Sequence, residues 1–303
     1  MKDSPTPTLP QTIAHRGYRA QYPENTLQAM RKAVEAGAHA LETDIHLSRD
    51  GVVVLSHDAT LKRCFGQPDK IRDRDWAYLS TLRTAGPNPQ PMARLRDLLA
   101  YLSEPGLERV WVLLDVKTDD AGSALLAGVG AAVAGAPQGG PKPWAARVVL
   151  GVWHARYLPL CAALLPGFAV AFIGVSTGYA RRFLAVPNVA FNMLVDVLVG
   201  PMGAGFLRAA KAKGRPVFAW TVNDKKKMRW CVRKGLDGVV TDDPKMFMEV
   251  REEFETGKVG SETWTWKEYM LIARINLLVL VFSWVFMWKF GVSWGIDKRF
   301  KRR

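Results

Sequence analysis

Eight times between residues 11 and 241 a short apolar run gives way to a helix-like stretch, and few architectures accept that rhythm. The runs are Gln11–Ala14, Ala40–Leu47, Val110–Val116, Arg147–Val152, Ala169–Val175, Asn188–Met193, Pro216–Val222 and Gly238–Thr241. Most are near-continuous in Val, Ile, Leu and Ala, as parallel strands buried on both faces are. Between them Thr26–Ala36, Arg94–Ser103, Gly122–Ala134, Gly203–Lys213 and Asp224–Lys234 read as helices. Several helices close on a glycine able to take a positive φ, namely Gly37, Gly214 and Gly235. Eight such pairs over roughly 245 residues predict an α/β protein with a TIM (β/α)8 barrel. An open doubly wound sheet usually carries fewer strands.

The barrel is expected to occupy residues 11–256, after a proline-containing, disordered lead at 1–10 that lacks the apolar core of a secretory signal. Val52–His57 follows the turn Asp50-Gly51 and reads as a hairpin extension of the second strand. It opens a polar insertion that runs to about Met92 and leaves from the carboxyl end of that strand, the catalytic face of a barrel. Three cysteines, Cys64, Cys161 and Cys231, match no zinc spacing. They argue for a reducing compartment without a disulfide framework. The net charge is +14, yet no basic ribbon interleaved with aromatics is present, so nucleic acid is not an expected partner.

The tail, residues 257–303, is expected to anchor the chain to a membrane. Tyr269–Trp288 is 20 residues long and mostly apolar, long enough to span a hydrocarbon core of ~30 Å. Arg274 and Asn276 interrupt its first half. Trp264, Trp266, Trp284, Trp288 and Trp294 are five of the chain's eleven tryptophans, a bias typical of membrane interfaces. The basic end, 298–303, suits anionic head groups. Membrane contact through 269–296 and this basic tail is therefore expected, either as a transmembrane helix or as a shallow re-entrant segment. The re-entrant form keeps the basic end and the thiol-bearing catalytic domain on the cytosolic side. A C-terminal helix packed on the barrel is the alternative.

The chemistry concentrates on one predicted rim. Glu42 and Asp44, two apart on a strand, face the same way and repel each other unless a cation intervenes. His15 and Arg16 follow the first strand, and His57 ends the hairpin. Asp115 and Lys117 end the third strand, Asn192 the sixth and Trp220 the seventh. Glu42, Asp44 and Asp115 offer hard oxygens suited to Mg²⁺ or Ca²⁺ rather than zinc. Arg16 and Lys117 suit charge developing on a phosphate. His15 and His57 titrate near neutrality, so one takes a proton while the other gives one. Trp220 offers a flat apolar wall and Asn192 a polar contact for substrate. The plainer readings are core packing for Trp220 and a salt bridge to Asp115 for Lys117. Asn25 is expected to cap the helix that starts near Thr26.

His15-Arg16-Gly17, Pro23-Glu24-Asn25-Thr26, Glu42-x-Asp44, Asp50-Gly51 and His57-Asp58 together resemble the glycerophosphodiester phosphodiesterase family. Trp220–Asn223 and Thr241–Pro244 fit it as well, and the likeness covers roughly residues 11 to 250. The resemblance implies a TIM barrel, a divalent metal held by Glu42 and Asp44, and His15 and His57 as general acid and base. Asp115 stands where the family most often has Glu, one methylene longer, which puts metal preference in question. Within the family the chain is most similar to the fungal phosphatidylglycerol phospholipase C branch. That likeness implies cleavage of the glycerophospholipid phosphatidylglycerol to diacylglycerol and a glycerol phosphate. Lysophospholipase D or glycerophosphodiester phosphodiesterase activity on deacylated lipids is the alternative. An inactive lipid-binding barrel is disfavoured, because no acid, histidine or cation of the set is missing.

Overall fold

The fold is known from a computed structural model that describes residues 9–260 and 263–290, the last eight by backbone alone. Most of the expected disordered lead (1–8) and the basic tail 298–303 lie outside the described residues. The chain folds as a TIM (β/α)8 barrel, as its strand rhythm predicts. It divides into an N-terminal unit, Ile13–Ala171 with Asp242–Lys245, and a C-terminal unit of Phe172–Thr241 with the remaining ends.

The N-terminal unit runs β1 (Gln11–His15), α1 (Leu27–Glu35), β2 (Ala40–Leu47), β3 (Val53–Leu55), α2 (Lys62–Phe65), α3 (Trp76–Leu79), α4 (Leu95–Leu102), β4 (Trp111–Val116), α5 (Gly122–Ala134), α6 (Trp144–Arg147), β5 (Val148–Val152) and α7 (Tyr157–Leu164). β1, β2, β4 and β5 pair in parallel, in the order β1-β2-β4-β5. β3 folds back antiparallel on β2, with Ile45 opposite Leu55, which is the hairpin foreseen after Asp50-Gly51. The insertion beyond it carries a small core of its own, formed by Val54, Leu61, Phe65, Ile71, Leu79, Leu82 and Met92. Leu41 and Ile45 of β2 are fully buried in the main core with Met30, Ala33 and Leu98, each of the larger side chains contributing ~1.5–3 kcal/mol. That burial fixes the register of β2, because a slip of one residue would turn its acids into the core.

The C-terminal unit runs β6 (Ala169–Gly174), α8 (Thr177–Phe183), β7 (Val189–Leu194), α9 (Val195–Leu198), α10 (Pro201–Ala212), β8 (Val217–Trp220), α11 (Lys225–Arg233), β9 (Gly238–Thr241), α12 (Pro244–Glu255) and α13 (Trp266–Phe290). β7, β8 and β9 pair in parallel. α13 packs on α9 through Ile272, which is 6% exposed, and through Asn276, whose amide donates to the Asp196 carbonyl at 3.0 Å. The apolar side chains of Leu271, Leu277, Leu280 and Phe282 are exposed. The expectation of a transmembrane helix is corrected here: among the described residues no helix is long and apolar enough to cross a membrane. Arg274 and Asn276 break the apolar run, and Asn276 is engaged with the protein.

Two local details shape the approach to the rim. Thr26, not Asn25, is the N-cap of α1, its hydroxyl accepting from Ala29 N–H at 3.2 Å. Asn25 instead adopts φ +56° and turns its side chain toward β2. Gly17 has φ +81°, and a Cβ there would lie 2.7 Å from the Ala29 carbonyl carbon. The loop that follows His15, carrying Arg16, thus lies directly on α1. Gly17→Ala is expected to cost ~1–3 kcal/mol through strain and forced separation of loop and helix. A shift of the urea midpoint at unchanged slope measures it, and a wild-type midpoint would refute the close approach.

Candidate active site

The pleat of β2 sends Leu41 and Ile45 into the core, so Glu42, Asp44 and His46 take the opposite face. Parallel register then sets Asp115 of β4 beside Asp44, and Glu42 beside His15 of β1. The result is a compact acid trio. Ligand oxygens of Glu42, Asp44 and Asp115 all lie within 4.8 Å of one another, and the three residues are 4%, 1% and 5% exposed.

Such crowding has an electrostatic consequence. Burial, and then the charges of Asp44 and Asp115, push the Glu42 carboxyl well above the usual range. Burial also raises Asp115, against the pull of Lys117. Asp44 alone is lowered, because Lys117 and then Arg16 outweigh its burial. The Lys117 ammonium is 2.7 Å from both Asp44 Oδ1 and Asp115 Oδ2, forming the expected salt bridge to Asp115 and a second one to Asp44. Arg16 Nε is 3.1 Å from Asp44 Oδ2, and the Arg16 backbone N–H donates to Glu42 Oε2 at 3.0 Å. Even with two cations at hand, two of the three acids are pushed toward neutrality. A cluster of hard oxygens short of positive charge fits a divalent cation, which would draw all three to the carboxylate form.

Each imidazole is held by a carboxylate at Nδ1. His15 Nδ1 lies 2.6 Å from Asp242 Oδ1, and its Nε2 lies 4.0 Å from Glu42 Oε2. His57 Nδ1 lies 2.8 Å from Asp58 Oδ1. A belt of ion pairs joins the two. Arg19 binds Asp242 and Glu24 at 3.3 and 3.0 Å. Arg63 grips Glu24 at 2.8 Å and Asp58 at 2.7 Å. Glu24 also accepts from Arg16 at 2.9 Å, so one carboxylate collects three guanidinium groups. Asn25 donates to Asp44 Oδ2 at 2.9 Å and accepts from the Thr43 hydroxyl at 2.7 Å.

Several of these partners carried no role in the sequence reading. Asp242 sits in the expected Thr241–Pro244 run, but its pairing with His15 spans 227 positions. Trp153 donates its indole N–H to Asp115 Oδ1 at 2.8 Å. His46, continuing the period-two series of Glu42 and Asp44, is 2.8 Å from Asp120 Oδ2 through Nδ1 and 3.3 Å from the His57 carbonyl through Nε2. That periodicity was the available signal for His46. Asn192 and Trp220 belong to the C-terminal unit, where the Trp220 indole N–H donates to the Asn192 carbonyl at 3.0 Å. The buried Asn192 Oδ1 has no hydrogen-bond partner among the described residues.

The sequence profile of the glycerophosphoryl diester phosphodiesterase family matches residues 15–246. The chain belongs to that family. A glycerophosphodiester phosphodiesterase of Caldanaerobacter subterraneus is 24% identical over 247 residues, covering 78% of this chain and 96% of the relative. The crystal structure of glycerophosphodiester phosphodiesterase from Thermotoga maritima is similar with a TM-score of 0.63 at 26% identity, covering 80% of this chain and 99% of that one. A phosphodiesterase of Oleispira antarctica, solved with the product sn-glycerol-3-phosphate, is similar with a TM-score of 0.69 at 23% identity, covering 80% and 97%. As a glycerophosphoryl diester phosphodiesterase family member the chain is a phosphodiester hydrolase, and the family depends on a divalent metal. The acid trio is the set of residues able to hold that metal here.

Glu24 gives the belt a measurable signature. Burial opposes its ionisation, but the hydrogen bond from Arg63 and the charges of Arg16 and Arg63 prevail and lower its pKa from 4.5 to about 2. A carboxylate depressed on folding stabilises the protein above its unfolded pKa and loses that stabilisation as pH falls through the folded one. Allowing for the half-exposed Arg63, the contribution is on the order of 2 kcal/mol. Glu24→Gln is expected to be less stable than wild type by about this much near neutral pH, with the gap closing between about pH 4.5 and pH 2. Parallel denaturation curves with a constant gap would contradict the linkage.

Proposed function

We propose that the protein is a metal-dependent glycerophosphodiester hydrolase in which a hydroxyl next to the phosphate ester attacks phosphorus. The observation that carries this reading is the buried trio Glu42, Asp44 and Asp115, with Arg16 and Lys117 against it and His15 oriented at its edge. When bound, a divalent cation supplies positive charge for a nonbridging phosphate oxygen. The hard-oxygen donor set suits Mg²⁺ or Ca²⁺. Asp115 is tied by both Lys117 and Trp153, and its short side chain has little freedom to follow a larger ion. That rigidity favours Mg²⁺, which demands near-ideal geometry.

The remaining roles fall to the chain's own groups. Arg16 and Lys117 hold the phosphate against the acids. His15, fixed through Nδ1 by Asp242, takes the hydroxyl proton at Nε2. The oxygen so exposed bonds to phosphorus, and the bond from phosphorus to the leaving alcohol breaks. His57, fixed through Nδ1 by Asp58, gives its Nε2 proton to that alcohol. Water then opens the cyclic diester with the two histidines in reversed roles. Holding hydroxyl and phosphorus in line supplies ~7–11 kcal/mol of the barrier, and proton transfer a further 10²–10⁴-fold in rate. We assign substrate contact to Asn192, on its unpaired Oδ1, and to Trp220 beside it. The glycerol phosphate product of the Oleispira antarctica relative supports a substrate whose phosphate stays on glycerol.

A second reading is phospholipase C cleavage of phosphatidylglycerol, as in the fungal branch, and the exposed apolar face of α13 favours it. Phosphatidylglycerol keeps a free hydroxyl beside its phosphate in the head group, as deacylated lipids do in the backbone. α13 would then lie in the plane of a bilayer rather than cross it. Three unpaired cysteines support a cytosolic side for the enzyme.

Glycerophosphocholine, which has the neighbouring hydroxyl, is expected to be cleaved, and diacyl phosphatidylcholine, which lacks it, to resist. Equal rates on the two would defeat the mechanism. Diacylglycerol released from phosphatidylglycerol vesicles selects the second reading; lysophosphatidate released from lysolipids marks D-type cleavage. Chelation is expected to abolish turnover, with Mg²⁺ restoring it. His15→Ala and His57→Ala should each lower kcat by roughly 10²–10⁴ with circular dichroism unchanged.

A further inference from the structure

The C-terminal unit holds a cavity bordered by basic side chains, at the amino ends of β8 and β9. Its volume is about 490 Å³, and Arg208, Lys211, Arg215 and Lys234 border it. None of these four has a carboxylate partner among the described residues. The one acid on its wall, Asp237, is turned to the backbone, its Oδ2 accepting from Val217 N–H at 2.8 Å. Arg215 donates one guanidinium N–H to the Val186 carbonyl at 2.9 Å, while its buried Nε has no partner. The floor is apolar, with Val217 and Leu236 buried and Leu207 half-buried.

Helix ends explain only part of this concentration. Lys211 lies in the last turn of α10 and Lys234 is the C-cap of α11, where a cation meets the negative end of the helix dipole. Arg208 sits a turn earlier on α10, and Arg215 lies beyond that helix. Two guanidinium and two ammonium groups bordering one concavity match several phosphoryl groups better than a single carboxylate. The volume is that of a small-molecule site. α13 packs on α9, which follows the carboxyl end of β7, whereas the cavity is at the amino ends of the strands parallel to β7. A bilayer touching α13 would meet the other end of these strands.

We propose that this cavity binds a soluble, multiply phosphorylated small molecule, separately from the acid trio. Arg208, Lys211 and Lys234 are exposed and can be neutralised without disturbing the core. Calorimetric titration of the full-length, Mg²⁺-loaded protein with ATP and with inorganic tripolyphosphate tests it. Saturable one-site binding is expected, much tighter than that of inorganic phosphate and weakening steeply with added salt. The double variant Arg208→Gln with Lys234→Gln should weaken it by about tenfold or more, leaving basal glycerophosphodiester hydrolysis unchanged. Arg16→Ala should lose hydrolysis and keep the binding. The proposal is overturned if neither polyphosphate saturates, or if binding survives in the double variant and vanishes in Arg16→Ala, which would assign it to the acid trio. Because hydrolysis and polyphosphate binding are read separately, failure of one leaves the other standing.

Discussion

Three carboxylates buried within a few ångströms of one another cannot all be charged unless cations approach, and the N-terminal unit is organised around that demand. Arg16 takes a left-handed backbone, φ +56°, a conformation that costs of order 1 kcal/mol or more for a residue with a side chain. In that conformation its N–H meets Glu42 while its guanidinium lies between Glu24 and Asp44. Gly17 makes the turn possible by lying flush on α1. Asn25, also left-handed, trades a capping role for hydrogen bonds to Asp44 and Thr43. Lys117 spans Asp44 and Asp115. Local strain is thus exchanged for charge compensation at one point, which is where function tends to store it.

The belt from Asp242 through Arg19, Glu24 and Arg63 to Asp58 answers a different need. Exposed ion pairs stabilise little, and Arg63 is half-exposed. Beyond the stabilisation at Glu24, their worth here is geometric. Both imidazoles are gripped at Nδ1 by a carboxylate, so each presents Nε2, the arrangement a matched acid and base require. The two differ in surroundings. His15 is buried beside Glu42, whereas the His57 side chain is 39% exposed. A base that takes a proton from a hydroxyl held at the acids belongs inside, and an acid that releases an alcohol to solvent belongs at the edge. In the mechanism proposed above, exposure therefore favours His15 as base and His57 as acid in the attack step.

Sequence pattern reached the alternation of strands and helices, because buried parallel strands are compositionally dense and helix ends carry glycine. β2 and β9 have the bounds read from sequence, and α5 likewise. It also reached the acid trio, since period two on β2 and one neighbouring strand suffice to bring those oxygens together. It did not mark α7 as a helix: Leu158, Leu160, Cys161 and Leu164 leave no polar stripe to set a period. Nor did it weigh Thr26 against Asn25 as the cap, because the backbone conformation that decides between them follows from contacts with β2. Long-range pairings such as His15 with Asp242 or Trp153 with Asp115 depend on which strand ends meet, and no local rule reports that. Arg147 makes the same point. It is 1% exposed and donates only to backbone carbonyls, including those of Leu102, Leu107 and Val110, yet nothing in its neighbourhood in sequence distinguishes it from a surface arginine.

α13 inverts the usual logic of a helix on a folded domain. Among its described side chains, Ile272 and Asn276 lie against α9 and Glu268 pairs with Lys226. Its outward face carries Tyr269, Met270, Leu271, Leu277, Leu278, Leu280, Val281 and Phe282, all at least 49% exposed. Water would not favour that distribution, since each such side chain forfeits ~1.5–3 kcal/mol by staying exposed, and apolar patches of this kind mark contact surfaces. Polar anchors on the protein side and apolar groups on the outside suit a helix whose neighbouring phase is lipid. If lipid covers that face, the reaction takes place at a surface. Head-group chemistry then decides which lipid has the hydroxyl needed for attack, and the helix decides which lipids come within reach.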